Sequence, residues 1–259
     1  LRRVVEGMLK SFYSGLEEIY APSESMARIL REEGYSDRVR IWTRGVDRHI
    51  FTPAARDMGW RRGLGIDDDM PVILFVARLV FEKGLDVLAA VGAALKAAGV
   101  RHRILVVGDG PARGWIEERL PDAHYAGFLS GPALGRAYAS SDIFFNPSVT
   151  ETFGNVTLEA MASGLPVVAA AAAGSSSLVA DGLSGRLVPP GDIDGFCAAL
   201  AAYGDRRARA AAGAAGLARA LPYDWDRVND ALIDRYVVLS GAAPLPAARP
   251  SGTIGVAAG

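Results

Sequence analysis

Between residues 71 and 188 the chain alternates two kinds of pattern. Short runs are apolar at every position, as in Val72-Ile73-Leu74-Phe75-Val76, Ile104-Leu105-Val106-Val107 and Val167-Val168-Ala169. A strand buried on both faces reads this way, whereas a strand with one wet face alternates. Between these runs lie stretches with apolar residues at helical spacing, such as Leu85, Leu88, Val91 and Leu95. The predicted strands are 71–77, 103–107, 123–126, 143–146, 166–169 and 185–188. The predicted helices are 84–98, 112–120, 131–140, one starting near Asn155, one after Ala173, and one that Asp192 caps. Strand–helix alternation predicts an α/β fold with a doubly wound parallel sheet.

The flanks differ. At the start, residues 1–6 read as part of a helix, Ser23 as the N-cap of a helix over 24–33, and residues 39–42 as a strand. Residues 205–221 are Ala- and Arg-rich and predict a solvated helix, and 225–239 an amphipathic one. The last stretch, 241–259, is rich in Ala, Pro, Gly and Ser and is expected to be a loosely attached tail. Three segments result: 1–45 as the remnant of a preceding N-terminal domain with a connector, 46–240 as the α/β domain, and 241–259 as tail. The chain opens without Met, which suggests that a preceding domain is missing.

Composition narrows the function. The formal net charge is −1 over 259 residues, so no bulk attraction to nucleic acid is expected. The longest apolar stretch, around 165–173, is far short of the roughly 20 residues of a membrane span. The lone cysteine, Cys197, reads as a small core residue and suits a reducing compartment. The three histidines are scattered, and no Cys/His grouping has metal-ligand spacing.

Four motifs carry candidate chemistry. Arg78 and Lys83 follow the first strand of the alternating region, where two cations can neutralise a diphosphate; solvated loop cations are the plainer alternative. Gly108-Asp109-Gly110-Pro111 follows the second strand. Its next glycine, Gly114, is one position too late for the dinucleotide fingerprint, which disfavours an oxidoreductase. A Gly-rich strand-to-helix turn, one that can still let a base or ribose approach the backbone, is the better reading. Glu151 and Glu159 bracket Phe153-Gly154-Asn155 after the strand 143–146, one acid on the loop and one in the first turns of a helix. Both are expected at the carboxyl edge of the sheet, where open α/β folds bind ligands. There they can accept from sugar hydroxyls while helix-start amides hold a phosphate oxygen; the alternative is a surface acid and an acid favoured by the helix dipole. Gly174-Ser175-Ser176 either caps a helix or contacts phosphate.

In this order the motifs resemble the retaining glycosyltransferases of the GT-B fold, family 4 group. The carriers are Arg78 and Lys83, 106–111, Glu151 and Glu159, 159–168, and 187–192. The resemblance implies the Rossmann-like C-terminal half of a two-domain enzyme, which binds the nucleotide-sugar donor. It implies catalytic work for Arg78, Lys83 and Glu151: the cations on the donor diphosphate, the acid on the transferred sugar. It implies donor binding by Gly108, by Gly127, Phe128 and Leu129 near the base, by Phe153, Gly154 and Asn155 through the backbone, and by Glu159 on the ribose. No metal and no cofactor is expected, since Arg and Lys supply the positive charge. The segment Arg44-Gly45-Val46-Asp47 is similar to the GDP-mannose-dependent α-mannosyltransferase branch. That branch implies transfer of mannose to a lipid or glycan acceptor, in the cytoplasm and at most peripheral to the inner membrane face. Gly174-Ser175-Ser176 departs from the Gly-Gly-Pro usual in the family. A non-catalytic sugar-nucleotide or partner-binding module is the rival reading.

Overall fold

The computed structural model describes residues 2–241. The expected tail from 242 onward lies outside the described residues. Six strands form one all-parallel sheet: β3 (Val72–Val76), β4 (Arg103–Val107), β5 (His124–Gly127), β6 (Ile143–Asn146), β7 (Val167–Ala170) and β8 (Gly185–Val188), in the spatial order β5-β4-β3-β6-β7-β8. Counted from β3, this is the 3-2-1-4-5-6 order of the Rossmann fold. The strand order therefore reverses direction between β3 and β6.

The unbroken apolar runs are explained by two cores. Ile73, Phe75, Ile104, Val106, Ile143, Phe145 and Val168 face one side, against α4 (Leu85–Ala97), α5 (Arg113–Arg119) and α9 (Ile193–Ala202). Val72, Leu74, Leu105, Val107, Phe144, Val167 and Ala169 face the other, against α6 (Gly131–Ala139), α7 (Asn155–Ala162) and α8 (Ala173–Leu178). With side chains alternating by face, both phases of each strand must be apolar.

The N-terminal flank builds a separate two-stranded parallel sheet from β1 (Ile19–Ala21) and β2 (Val39–Ile41), with α1 (Arg2–Ser14) before it and α2 (Glu24–Glu32) as its crossover. Ser23 caps α2, its Oγ accepting from the amide of Met26 at 3.4 Å. The strand β1 and a short helix α3 (Met58–Gly63) were not expected from the pattern; each is too short to show a period. The last helix, α11 (Trp225–Ser240), returns to this flank, where Arg235 pairs with Glu18. Arg235 first, with Arg40 and Tyr20 adding hydrogen bonds, holds the Glu18 carboxyl at about 2.

One expectation is corrected. The helix α10 (Arg206–Ala220) is not simply solvated. Ala212, Gly213, Gly216 and Ala220 are buried, and the helix lies against α7. A Cβ at Gly213 would stand 2.1 Å from the carbonyl oxygen of Gly164, so the two backbones touch. An apolar face made of small residues has little hydropathic contrast, which hid it from a periodicity reading. Cys197 is also only partly buried, packed on the rim of the α9 core.

Candidate active site

The carboxyl ends of β3 and β6 stand side by side where the strand order reverses. Such a switch point is where open α/β sheets take ligands. The chain leaves β3 through Ala77-Arg78-Leu79-Val80 and makes one 3-10 turn, Phe81–Lys83. Gly84 then adopts φ 76°, and its α-carbon is pressed against Pro147 beyond β6, where a Cβ would meet the ring at 3.0 Å. This contact brings the two loops together. Lys83 Nζ lies 3.4 Å from Glu151 Oε1, with the lysine a quarter exposed and the acid 12% exposed.

The turn after β4 buttresses the same loop. Leu79 donates its amide to the Asp109 carbonyl at 2.9 Å, and Ala112 donates to that of Leu79 at 3.0 Å. Gly108 (φ 130°) donates to the Gly127 carbonyl at 2.7 Å, and a Cβ there would lie 1.9 Å from the oxygen of Ala77. At Gly110 a Cβ would lie 2.5 Å from the oxygen of Leu79, so Gly108 and Gly110 are both required by backbone-to-backbone packing in this strand-to-helix turn.

Beyond β6, Gly154 (φ 94°) starts α7, and no side chain caps the helix. Its first amides are left uncapped at the positive end of its dipole, an arrangement suited to anionic oxygens. Asn155 is exposed at this end, whereas the Phe153 side chain is buried, edge-on to Tyr223 at 5.9 Å. The Phe153 side chain is thus committed to the core. Gly174, at the start of α8, presses on the other side of the acid loop: a Cβ would meet the Glu151 oxygen at 2.7 Å. The adjoining Ser175 is buried and its Oγ has no hydrogen-bond partner in the protein.

Glu159 lies one turn into α7 and largely beneath the surface. The Tyr138 hydroxyl donates to its Oε2 at 2.9 Å. Burial pushes the Glu159 carboxyl up to about 7; the Tyr138 bond lowers it, and the nearby charge of Glu151 raises it further. Burial likewise raises the Tyr138 phenol well above its ordinary value, with the Glu159 charge adding to the effect. Tyr138 was missed by the sequence reading. It lies in the ordinary-looking helical segment Gly135-Arg136-Ala137-Tyr138, 21 residues before its partner.

The remaining candidates are more dispersed. Arg78 is two-thirds exposed and bonded to Glu82 at 3.0 Å, so in this state it faces its own helical neighbour and not Glu151. Gly127 (φ 69°) closes β5, followed by Phe128, 77% exposed, and Leu129, packed on the sheet core. They stand at the carboxyl end of the outermost strand on the β4 side. Among the described residues no group of three or more His, Cys, Asp or Glu stands together as a metal site. No helix there is long and apolar enough to cross a membrane.

The sequence profile described as "Glycosyl transferases group 1" matches residues 70–204, which spans β3 through α9 and includes every one of these site residues. The chain belongs to this family. A GDP-mannose-dependent alpha-mannosyltransferase of Mycolicibacterium smegmatis is 39% identical over 241 residues, which cover 92% of this chain and 62% of that protein. The enzyme of the same name from Mycobacterium tuberculosis is 36% identical over 88% of this chain and 58% of its own length. The sulfoquinovosyl transferase SQD2 of Arabidopsis thaliana is 36% identical over 79% of this chain and 41% of its own length. The chain thus spans under two thirds of these relatives. Among solved structures, sucrose-phosphate synthase from Thermosynechococcus elongatus superposes with a TM-score of 0.82 at 23% identity, covering 93% of this chain and 63% of the synthase. Anabaena HepE, solved with UDP and glucose, gives 0.77 at 22% identity over 91% of this chain and 66% of its own. These structural neighbours are GT-B glycosyltransferases, and this chain has the Rossmann-like α/β fold of the part that it matches.

Proposed function

We propose that this chain forms the donor-binding wall of a retaining, metal-independent glycosyltransferase that transfers a hexose, mannose from GDP-mannose, to a lipid or glycan acceptor. The observation that carries the proposal is the approach of Lys83 and Glu151 across the switch point. An ammonium and a carboxylate there offer one group for a diphosphate and one for a sugar hydroxyl, side by side. The lysine neutralises charge that builds on the departing nucleotide. Arg78 exchanges its exposed bond to Glu82 for the phosphate, a swap that gives up little because surface ion pairs are weak. Helix-start amides of α7 take a further phosphate oxygen. Glu159 accepts from the ribose hydroxyls, and the backbone around Gly108, Gly127, Phe128 and Leu129 borders the base. Neither glutamate is assigned as nucleophile; the acceptor hydroxyl attacks from the face that the nucleotide leaves.

The GDP-mannose assignment is supported by the relatives of that name and by Arg44-Gly45-Val46-Asp47. The acceptor wall is assigned to an N-terminal domain in the complete enzyme, and the location to the cytoplasm, peripheral to the membrane at most. Calorimetric titration with GDP-mannose, UDP- and ADP-sugars and GMP tests the reading. Preference for GDP-mannose over the monophosphate is expected. Absence of any nucleotide binding would instead favour a non-catalytic interaction module.

A further inference from the structure

The acid loop is also held by residues that lie outside the family match. Ser23, 3% exposed, stands at the end of the β1 connection, 129 residues away in sequence. Its Oγ donates to the carbonyl oxygen of Thr152 at 2.9 Å. The same oxygen accepts from the Met26 amide, so capping of α2 uses a lone pair and leaves the proton for Thr152. Ser25 stands 3.0 Å from Ser23 and donates to the carbonyl of Ala173 at 3.2 Å, at the start of α8. Gly174 of α8 in turn touches the Glu151 carbonyl. The Glu151–Thr152 peptide is thereby packed against the first turn of α8 and the next peptide, Thr152–Phe153, is held at its carbonyl oxygen by Ser23, while the Glu151 side chain meets Lys83.

We propose that Ser23 is a positioning residue for the sugar-binding acid: it fixes the Thr152–Phe153 peptide, one residue beyond Glu151, and through it the reach of the Glu151 carboxylate. A helix cap alone needs no proton donor and no contact with a loop of another sheet. The hydroxyl here does both, which couples the N-terminal two-stranded unit to the acid loop. The role rests on the reading of Glu151 as the group that faces the transferred sugar.

The test compares Ser23→Ala, Ser23→Thr and the parent chain by amide hydrogen exchange and by titration with GDP-mannose and GDP. Loss of one hydrogen bond of ordinary strength corresponds to about a fivefold change in an equilibrium. In Ser23→Ala the amides of Thr152 to Asn155 should exchange about fivefold faster relative to those of β3 and β6. Affinity for GDP-mannose should fall by about the same factor with affinity for GDP unchanged, and Ser23→Thr should restore both. Unchanged exchange in the acid loop overturns the proposal. Equal weakening of both ligands also overturns it, because that is what general loosening would give. A parent chain that prefers GDP-mannose, with the preference intact in Ser23→Ala, sinks the positioning role and leaves the donor site standing. A parent that shows no preference, with the loop loosened in the variant, sinks the assignment of Glu151 and with it the link to the sugar.

Discussion

Glu159 gives the sharpest quantitative expectation. In the unfolded chain its carboxyl titrates near 4.5, and in the fold near 7, chiefly because it is buried. The folded state therefore holds the proton more tightly. Between pH about 4.5 and about 7 it binds more protons than the unfolded state, so stability falls as pH rises through that window and levels off above it. At 1.36 kcal/mol per decade of proton affinity, this separation amounts to about 3 kcal/mol. Glu159→Gln keeps an oxygen for the Tyr138 hydroxyl and removes the charge. At pH 5 the variant should match the parent closely. At pH 8 it should be more stable by up to about 3 kcal/mol, which for a chain of this size is a rise in Tm of roughly 6–12 °C. Urea denaturation followed by circular dichroism at both pH values measures the difference. The same variant should bind nucleotide more weakly, since the amide is a poorer acceptor for ribose hydroxyls than a carboxylate. A stability difference that is the same at pH 5 and pH 8, or a variant less stable at pH 8, would refute the account of the buried charge.

Three further outcomes are expected. Lys83→Ala should lower GDP-mannose affinity at least tenfold, read by calorimetry, while changing unfolding free energy by less than about 1 kcal/mol, because its ion pair with Glu151 is partly solvated. Gly213→Ala should destabilise by about 1–3 kcal/mol in thermal melts, since the new methyl meets the Gly164 carbonyl, whereas Gly7→Ala in α1, with open space around it, should be neutral or gain up to about 1 kcal/mol from helix propensity. Arg61→Met should cost about 3–5 kcal/mol in urea melts. That guanidinium is 1% exposed and bonds Asp142 and the carbonyls of Asp67, Met70 and Ser140, so its loss strands buried acceptors.

The six-stranded sheet was legible because its strands are apolar in both phases, and the helices between them because Leu85, Leu88, Val91 and Leu95 repeat at helical spacing. The site was legible as far as chemistry follows strand ends. Lys83 and Glu151 each stand shortly after a buried strand, and only the sheet order, which no local pattern specifies, makes those two strands neighbours. Tyr138 and Ser23 were illegible for the opposite reason. A tyrosine in a helix and a serine at an N-cap are ordinary locally, and their distinct roles come from partners 21 and 129 residues away. The packing of α10 was hidden by its composition, as glycine and alanine mark close approach through what they lack.

The return of α11 to the first sheet bears on how this protein can be dissected. Gly45 is pressed against Trp225, where a Cβ would stand 2.5 Å from the indole and 2.8 Å from the α-carbon, and Arg235 pairs with Glu18. A truncation that starts at residue 46 would strip the terminal helix of its seat, leaving an unpaired guanidinium and a bare tryptophan as an adhesive patch. Expression trials with such a fragment should yield aggregates, and the useful cut for a minimal nucleotide-binding unit must remove both ends of the polypeptide together or neither.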